Sequence, residues 1–366
     1  MREEIDNIVN SLFTHPKNTG LVVGIVKDDQ ISVFGYGKVK ETLAEPPQGD
    51  TLFEIGSVTK VFTTALLSLL ISEELLNLDD PVCNLMPELS NLPAEITLVR
   101  LATHTSGLPK MPSNIFWTTL RKRRNPYAQY PITKLLEYLS KYKPKRKLTD
   151  QIQYSNLGVA LLGHVLAEKM GTSYEQAVVS KICDKLDLSD TRITLTSEQK
   201  ERLSIPHSAN GKPSQNWDMP AFAGAGALRS TVNDMLKFLV AHLGRPQSTL
   251  TDAIQVCHEK RPGSFPPPGR LQKIFSRLFR KRQEFIQYFQ GIALGWVIGR
   301  MGAEGVQVYW HHGATGGYQA FIGFVKNTNK GIVILINRGP RFSELVNGIS
   351  LADEIGFRVL ELLHFS

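Results

Sequence analysis

Ser57 and Lys60 lie three residues apart in FEIGSVTKVFTTALLSLLISEELL, where a polar start opens a long apolar stretch of helical character. On a helix that spacing puts both side chains on one face, about one turn apart. A serine hydroxyl is a poor nucleophile until a neighbouring base takes its proton. A lysine crowded by other donors and partly desolvated loses some of its preference for the charged form, so it can share that work. Ser57 alone also suits a helix N-cap. Two later fragments bring further polar chemistry: Tyr154-Ser155-Asn156 and His311-His312-Gly313-Ala314-Thr315-Gly316-Gly317. A phenol such as that of Tyr154 can take a proton and later return it. Glycine at 313 lets a substrate lie against a strand, where a side chain would obstruct it. His311 and His312 also fit ordinary core or strand positions.

In this order the three fragments resemble the SxxK, YxN and KTG-type motifs of the serine β-lactamase and penicillin-binding-protein superfamily. The match is best to its class C β-lactamase-like branch, which also holds esterases and peptidases. The resemblance implies that Ser57 is the nucleophile and that Lys60 and Tyr154 form a coupled acid–base pair. It implies that Asn156 orients Lys60 and binds a substrate amide or carbonyl. The backbone N–H groups of Ser57 and Ala314 would then form the oxyanion hole. Class C enzymes read Lys-Thr-Gly-Ala-Thr where this chain has His311-His312-Gly313-Ala314-Thr315, as in esterase and peptidase members with an HxG motif. Histidine is neutral or only partly charged at pH 7, so binding of a β-lactam carboxylate is expected to weaken. Leu101-Ala102-Thr103-His104-Thr105-Ser106-Gly107-Leu108-Pro109 resembles the family's LLTHTSGLP segment, which is structural and lies near the cleft. AGAGALRSTVNDMLKF at 223–238, with Asp234 in the usual place, and GIALGW at 291–296 extend the likeness. The approach to Tyr154, KPKRKLTDQIQYSN, departs from the family in lacking a Pro-Gly.

These residues need elements to hold them. Residues 3–13 read as an amphipathic helix, and 20–27 and 30–38 as two strands joined at Asp28-Asp29, a hairpin signature. A helix is expected from Ser57 to about Leu75, and another over 157–170 that stops at Gly171. The runs 306–311, 318–326 and 331–337 read as strands, and 343–363 as a closing helix. Strands at both ends with a helical stretch between imply an α/β (α+β) fold. Its antiparallel sheet is built from both chain ends and flanked by helices, and a mostly helical region is inserted, in the β-lactamase/transpeptidase-like manner. Residues 1–75 and 221–366 are expected to form the sheet domain and 76–220 the helical region, with the active site at their interface.

A chain of 366 residues, 42% hydrophobic, can bury a sizeable core in one large or two ordinary domains. Apolar runs such as 61–70 are short of the ~20 residues that span a bilayer. The acidic, amphipathic N-terminus does not read as a secretory signal. A cytoplasmic protein is therefore expected, peripheral to a membrane in one variant, or an exported one if a leader has been lost. Cys83, Cys183 and Cys257 give no disulfide framework, and no His/Cys cluster suggests a metal, so neither metal nor cofactor is expected. Residues 110–147 hold eleven Lys/Arg against one acid, Glu137, and 260–282 hold eight against none. The net charge is only +8, so the rest of the chain is acidic. These basic segments suit an anionic membrane surface or an acidic carrier protein, or simply solvated faces, rather than nucleic acid. In the second segment Leu271, Ile274, Phe275, Leu278 and Phe279 share one helical face among basic neighbours, a pattern of interfacial helices that also fits packing on the protein's own core.

The expected activity is that of a serine hydrolase forming an acyl-enzyme on Ser57. It would cleave ester or amide bonds of small-molecule or peptide-derived substrates, as a carboxylesterase or D-amino-acid-directed peptidase. The alternatives are a weak class C-like β-lactamase, an acyltransferase or thioesterase on carrier-bound peptides, and a non-catalytic binding protein on the same fold.

Overall fold

The two ends of the chain meet in one sheet. The computed structural model describes residues 1–14, 19–40, 45–115, 125–144, 148–265, 289–302 and 304–365. Its sheet is built from β1 (Gly20–Lys27), β2 (Gln30–Gly37), β5 (Gly291–Ile292), β6 (Val297–Met301), β7 (Val306–Ala314), β8 (Gln319–Val325) and β9 (Lys330–Ile336). The order is β2-β1-β9-β8-β7-β6-β5, and every neighbouring pair is antiparallel. Two further strands, β3 (Leu52–Glu54) and β4 (Arg229–Thr231), form a separate ribbon.

Period-two alternation divides the strands between two apolar layers. Leu21, Val23 and Ile25 of β1 and Ile332, Ile334 and Ile336 of β9 face one way. There they join Ile5 and Val9 of helix α1 (Arg2–Leu12). Val22 and Val26, with Val333 and Leu335, face the other way, into the larger layer. That layer holds helix α2 (Thr59–Ser72), helix α3 (Asn156–Lys169) and helix α4 (Val232–His242). Helix α5 (Leu351–Phe365) covers the first face beside α1, through Ile355, Val359, Leu360 and Leu363. The closing helix expected over 343–363 is broken, because Phe342–Asn347 ends at Gly348, whose φ of +67° turns the chain before α5 begins.

Helix α2 is buried from Thr59 through Leu70, so it runs through the core rather than along it. Its polar side chains are satisfied internally: Thr63 donates to Gly224 O at 2.6 Å and Ser68 to Ala253 O at 2.5 Å. A helix held this way fixes what stands at its N-terminus. Helix α3 starts with Ser155 as its N-cap, accepting from Gly158 N at 2.8 Å, which places Tyr154 at a rigid helix entrance. No described helix is long and apolar enough to cross a membrane. The basic amphipathic face at 271–279 and residues 116–124 and 145–147 of the first basic segment lie outside the described residues.

Candidate active site

Three motifs far apart in sequence converge at the start of α2. Ser57 occupies the 3-10 turn Gly56–Val58 and caps nothing with its side chain. Its Oγ instead accepts from Lys60 Nζ at 2.8 Å and from Tyr154 OH at 2.8 Å. Lys60 also donates to Ala225 O at 2.6 Å, on the short helical turn Ala223–Gly226. Lys60 is wholly buried. That burial, aided by the charge of Lys110, holds the amine's pKa well below the usual lysine range, so the neutral base is accessible. Tyr154 is moved the opposite way: burial raises its pKa and keeps the phenol protonated, against a smaller lowering from its bond to Ser57. The same dry setting thus favours a neutral amine and a neutral phenol, a base and an acid, on either side of one hydroxyl.

Two glycines bring β7 against this turn. A Cβ on Gly313 would run into the Ile55 carbonyl and lie 3.0 Å from Ser57 N. Gly56 has φ +50°, and a Cβ there would meet Ala314 N at 2.8 Å. Without side chains at both positions the backbone N atoms of Ser57 and Ala314 come close together, the proximity an oxyanion hole needs. β7 also runs four residues beyond its last β6 partner, the Val297–Trp310 pair, so 311–314 form a sheet edge beside Ser57.

His311 is buried, with Nδ1 2.6 Å from His312 O. Burial, and then the charge of Lys60, drive its pKa well below the usual histidine value, so it is neutral. His312 points to the opposite face of β7, where Nδ1 lies 3.2 Å from Asp353 Oδ2 of α5. Burial alone would lower the His312 pKa, but the Asp353 carboxylate outweighs it and the net shift is upward. Asn156 departs from its expected place beside Lys60. Its Nδ2 approaches Met111 Sδ at 3.8 Å and its Oδ1 is buried with no hydrogen-bond partner, while Ala225 O holds the lysine instead. Asn156 lines a cavity of about 40 Å³ with Ser57, Ala314, Trp217 and Met219, so its side chain faces the substrate space.

Three residues missed by motif reading complete the site. His104, in the segment whose resemblance implies a structural role, has φ +60° and packs its ring, tilted by 47°, against the Tyr154 ring with centroids 4.6 Å apart. Its Nδ1 accepts from Ser155 N at 3.3 Å, and burial lowers its pKa to about 3. The histidine in THTSG was the available signal. Glu54, at the end of β3, accepts from Trp217 N at 2.8 Å and Asn216 Nδ2 at 3.0 Å, with Arg229 3.6 Å away. That buried carboxylate pins the Trp217 wall, and nothing in the local sequence announces it. Ala225 lies in the AGAGAL stretch that extends the family likeness, but its contribution is a backbone carbonyl, which its residue type does not signal. Among the described residues no group of three His, Cys, Asp or Glu is arranged to hold a metal ion.

A fold of this topology with a Ser-Lys-Tyr centre at the start of a buried helix defines a serine hydrolase class, and family comparison specifies it. Residues 5–354 match the Beta-lactamase family model, and the chain belongs to that family. A Beta-lactamase from Pseudomonas fluorescens is 25% identical, over 94% of this chain and 96% of that protein. The D-alanyl-D-alanine-carboxypeptidase/endopeptidase AmpH of Escherichia coli K12 is 26% identical, over 94% of this chain and 87% of its own. The class C beta lactamase from Rhodobacter sphaeroides shares the fold, with a TM-score of 0.74 at 24% identity over 97% of this chain and 99% of that one.

Proposed function

We propose that the chain hydrolyses carboxylic esters of small molecules through an acyl-enzyme on Ser57. The carrying observation is the placement of Ser57 Oγ 2.8 Å from both Lys60 Nζ and Tyr154 OH. Ser57 Oγ adds to the substrate carbonyl carbon as its proton moves to Lys60. The N–H groups of Ser57 and Ala314 hold the oxyanion. Collapse breaks the bond to the alcohol oxygen, and a proton returns through Tyr154 OH so that a neutral alcohol leaves. Water then attacks the Ser57 ester carbon and gives a proton to the Lys60–Tyr154 pair; collapse breaks the bond to Ser57 Oγ, the pair returns that proton to Oγ, and the carboxylic acid departs. Ester and water are consumed; acid and alcohol are formed.

Two features favour esters over substrates that carry a carboxylate. His311 is neutral where class C enzymes resemble this site with a lysine. The raised pKa of His312 comes with an Asp353 carboxylate that cancels its charge. Cleavage of D-amino-acid peptides is the second reading, favoured by the likeness to AmpH along most of both chains. One preparation assayed on p-nitrophenyl acetate, a D-alanyl-D-alanine peptide and nitrocefin separates these. The ester should show the highest kcat/KM. Faster release of D-alanine would move the assignment to the peptidase, and faster nitrocefin turnover to a β-lactamase.

A further inference from the structure

Two cavities of very different size flank the Ser57–Tyr154 contact, and the mechanism assigns one to each half of an ester. The smaller, about 40 Å³, holds Ser57, Asn156 and Ala314, so it adjoins the carbon that stays on the enzyme. The larger, about 340 Å³, has Tyr154, His104 and His311 in its wall and does not include Ser57. Because Tyr154 hands its proton to the departing oxygen, the alcohol must leave on that side. The rest of the larger wall is apolar, from Ile152, Phe265, Phe289, Ile292, Val297 and Trp310. Phe289 meets Phe265 edge-to-face at 5.3 Å and Trp310 at 5.4 Å, a surface suited to an aromatic or aliphatic group. Among the described residues its polar members offer a ligand no net charge. His104 and His311 are neutral, and His312 faces the Asp353 carboxylate.

The acyl side is small for a structural reason. Trp217 and Met219 stand between it and a neighbouring groove of about 980 Å³, lining both spaces. The buried Glu54 carboxylate holds Trp217 by its backbone N–H at 2.8 Å, so the wall is fixed from behind. A space of about 40 Å³ suits a short acyl group beside the carbonyl.

Resting on the esterase reading above, we propose that the substrates are esters of a short acyl group with a bulky, uncharged, apolar alcohol. The selectivity resides in Tyr154's side of the cleft, with the fixed Trp217 wall rejecting large acyl groups. Two isomeric esters test this directly: 2-naphthylmethyl acetate and methyl 2-naphthylacetate contain the same atoms and release alcohols of similar acidity. The first places its bulk on the alcohol and should be turned over with a kcat/KM at least about tenfold higher, the scale of a hydrophobic-pocket preference. A Val297→Trp variant, which fills the larger cavity, should shrink that ratio towards one. A second measurement needs no variant: 2-naphthylmethanol should inhibit p-nitrophenyl acetate hydrolysis competitively, and 2-naphthylacetate should inhibit weakly or not at all. Equal rates for the isomers, or a preference for the naphthylacetate, overturns the proposal while p-nitrophenyl acetate turnover keeps the esterase reading intact. Failure on every ester, p-nitrophenyl acetate included, removes both.

Discussion

Replacing Tyr154 with phenylalanine takes one oxygen from the middle of the site and leaves the ring in place. The ring contacts that remain are the tilted packing on His104 at 4.6 Å and the Lys60 Nζ approach at 5.1 Å from the ring centroid. What is lost is the 2.8 Å hydrogen bond to Ser57 Oγ. For stability this is a single neutral hydrogen bond, so unfolding should move by about 1 kcal/mol or less. For the reaction it removes the acid that protonates the departing oxygen, a contribution of ~10²–10⁴-fold. At 1.36 kcal/mol per tenfold, that is about 3–5 kcal/mol of barrier. The loss should depend on the leaving group. An alkoxide cannot depart without a proton, whereas p-nitrophenolate can. Measured as kcat/KM, Tyr154→Phe should therefore damage 2-naphthylmethyl acetate at least about tenfold more than p-nitrophenyl acetate. Equal losses on both esters would mean that the hydroxyl serves only Ser57. Wild-type rates on both would take Tyr154 out of the chemistry altogether.

The depressed pKa of Lys60 fixes the sign of the pH dependence: the base acts once deprotonated, so kcat/KM for a neutral ester should climb with pH and level off well below 10.5, and a rate still climbing through pH 10.5 would contradict it. Burial raises Tyr154, so no loss of activity from its ionisation should appear below pH 10. Gly313→Ala should cost about 1–3 kcal/mol of stability by overpacking against the Ile55 carbonyl, and most of the ester activity with it. Gly171→Ala is the control, since its φ of +62° strains the backbone with no neighbour within 4 Å; its rates should match wild type in the same assay. The His312 pKa is raised in the folded state, so its pairing with Asp353 stabilises fully below about pH 6.5 and fades as pH rises through the folded value. His312→Gln should accordingly lose more stability at pH 5.5 than at pH 9 in urea melts. The His312 side chain is 40% exposed, so after screening the difference should be about 1 kcal/mol, and a loss that grew with pH would reverse the sign.

The parts of this molecule that were legible in the sequence are those set by periodicity and spacing. Ser57 and Lys60 one turn apart, the alternating terminal strands and the helix after Tyr154 follow from side-chain direction in regular elements, and the structure places them accordingly. What stayed hidden depends on tertiary neighbours. Lys60 is held by the carbonyl of Ala225, 165 residues away, and any residue type offers a carbonyl. Asn156, one residue past the N-cap of α3, faces the small cavity and not the lysine, which periodicity within one helix cannot reveal. Glu54 looks like the polar end of a short strand, and only the fold shows it buried beneath Trp217. His104 reads as part of a structural turn, yet its positive φ swings the ring onto Tyr154.

Intact-mass analysis after exposure to a fluorophosphonate, followed by peptide mapping, reports on the nucleophile without assuming any substrate. The geometry around Ser57 calls for one adduct per chain, on Ser57, with labelling abolished in Ser57→Ala and strongly slowed in Lys60→Met while both variants keep a cooperative melt. An adduct on another residue, or ester hydrolysis that persists undiminished in Ser57→Ala, would contradict the proposed acyl-enzyme.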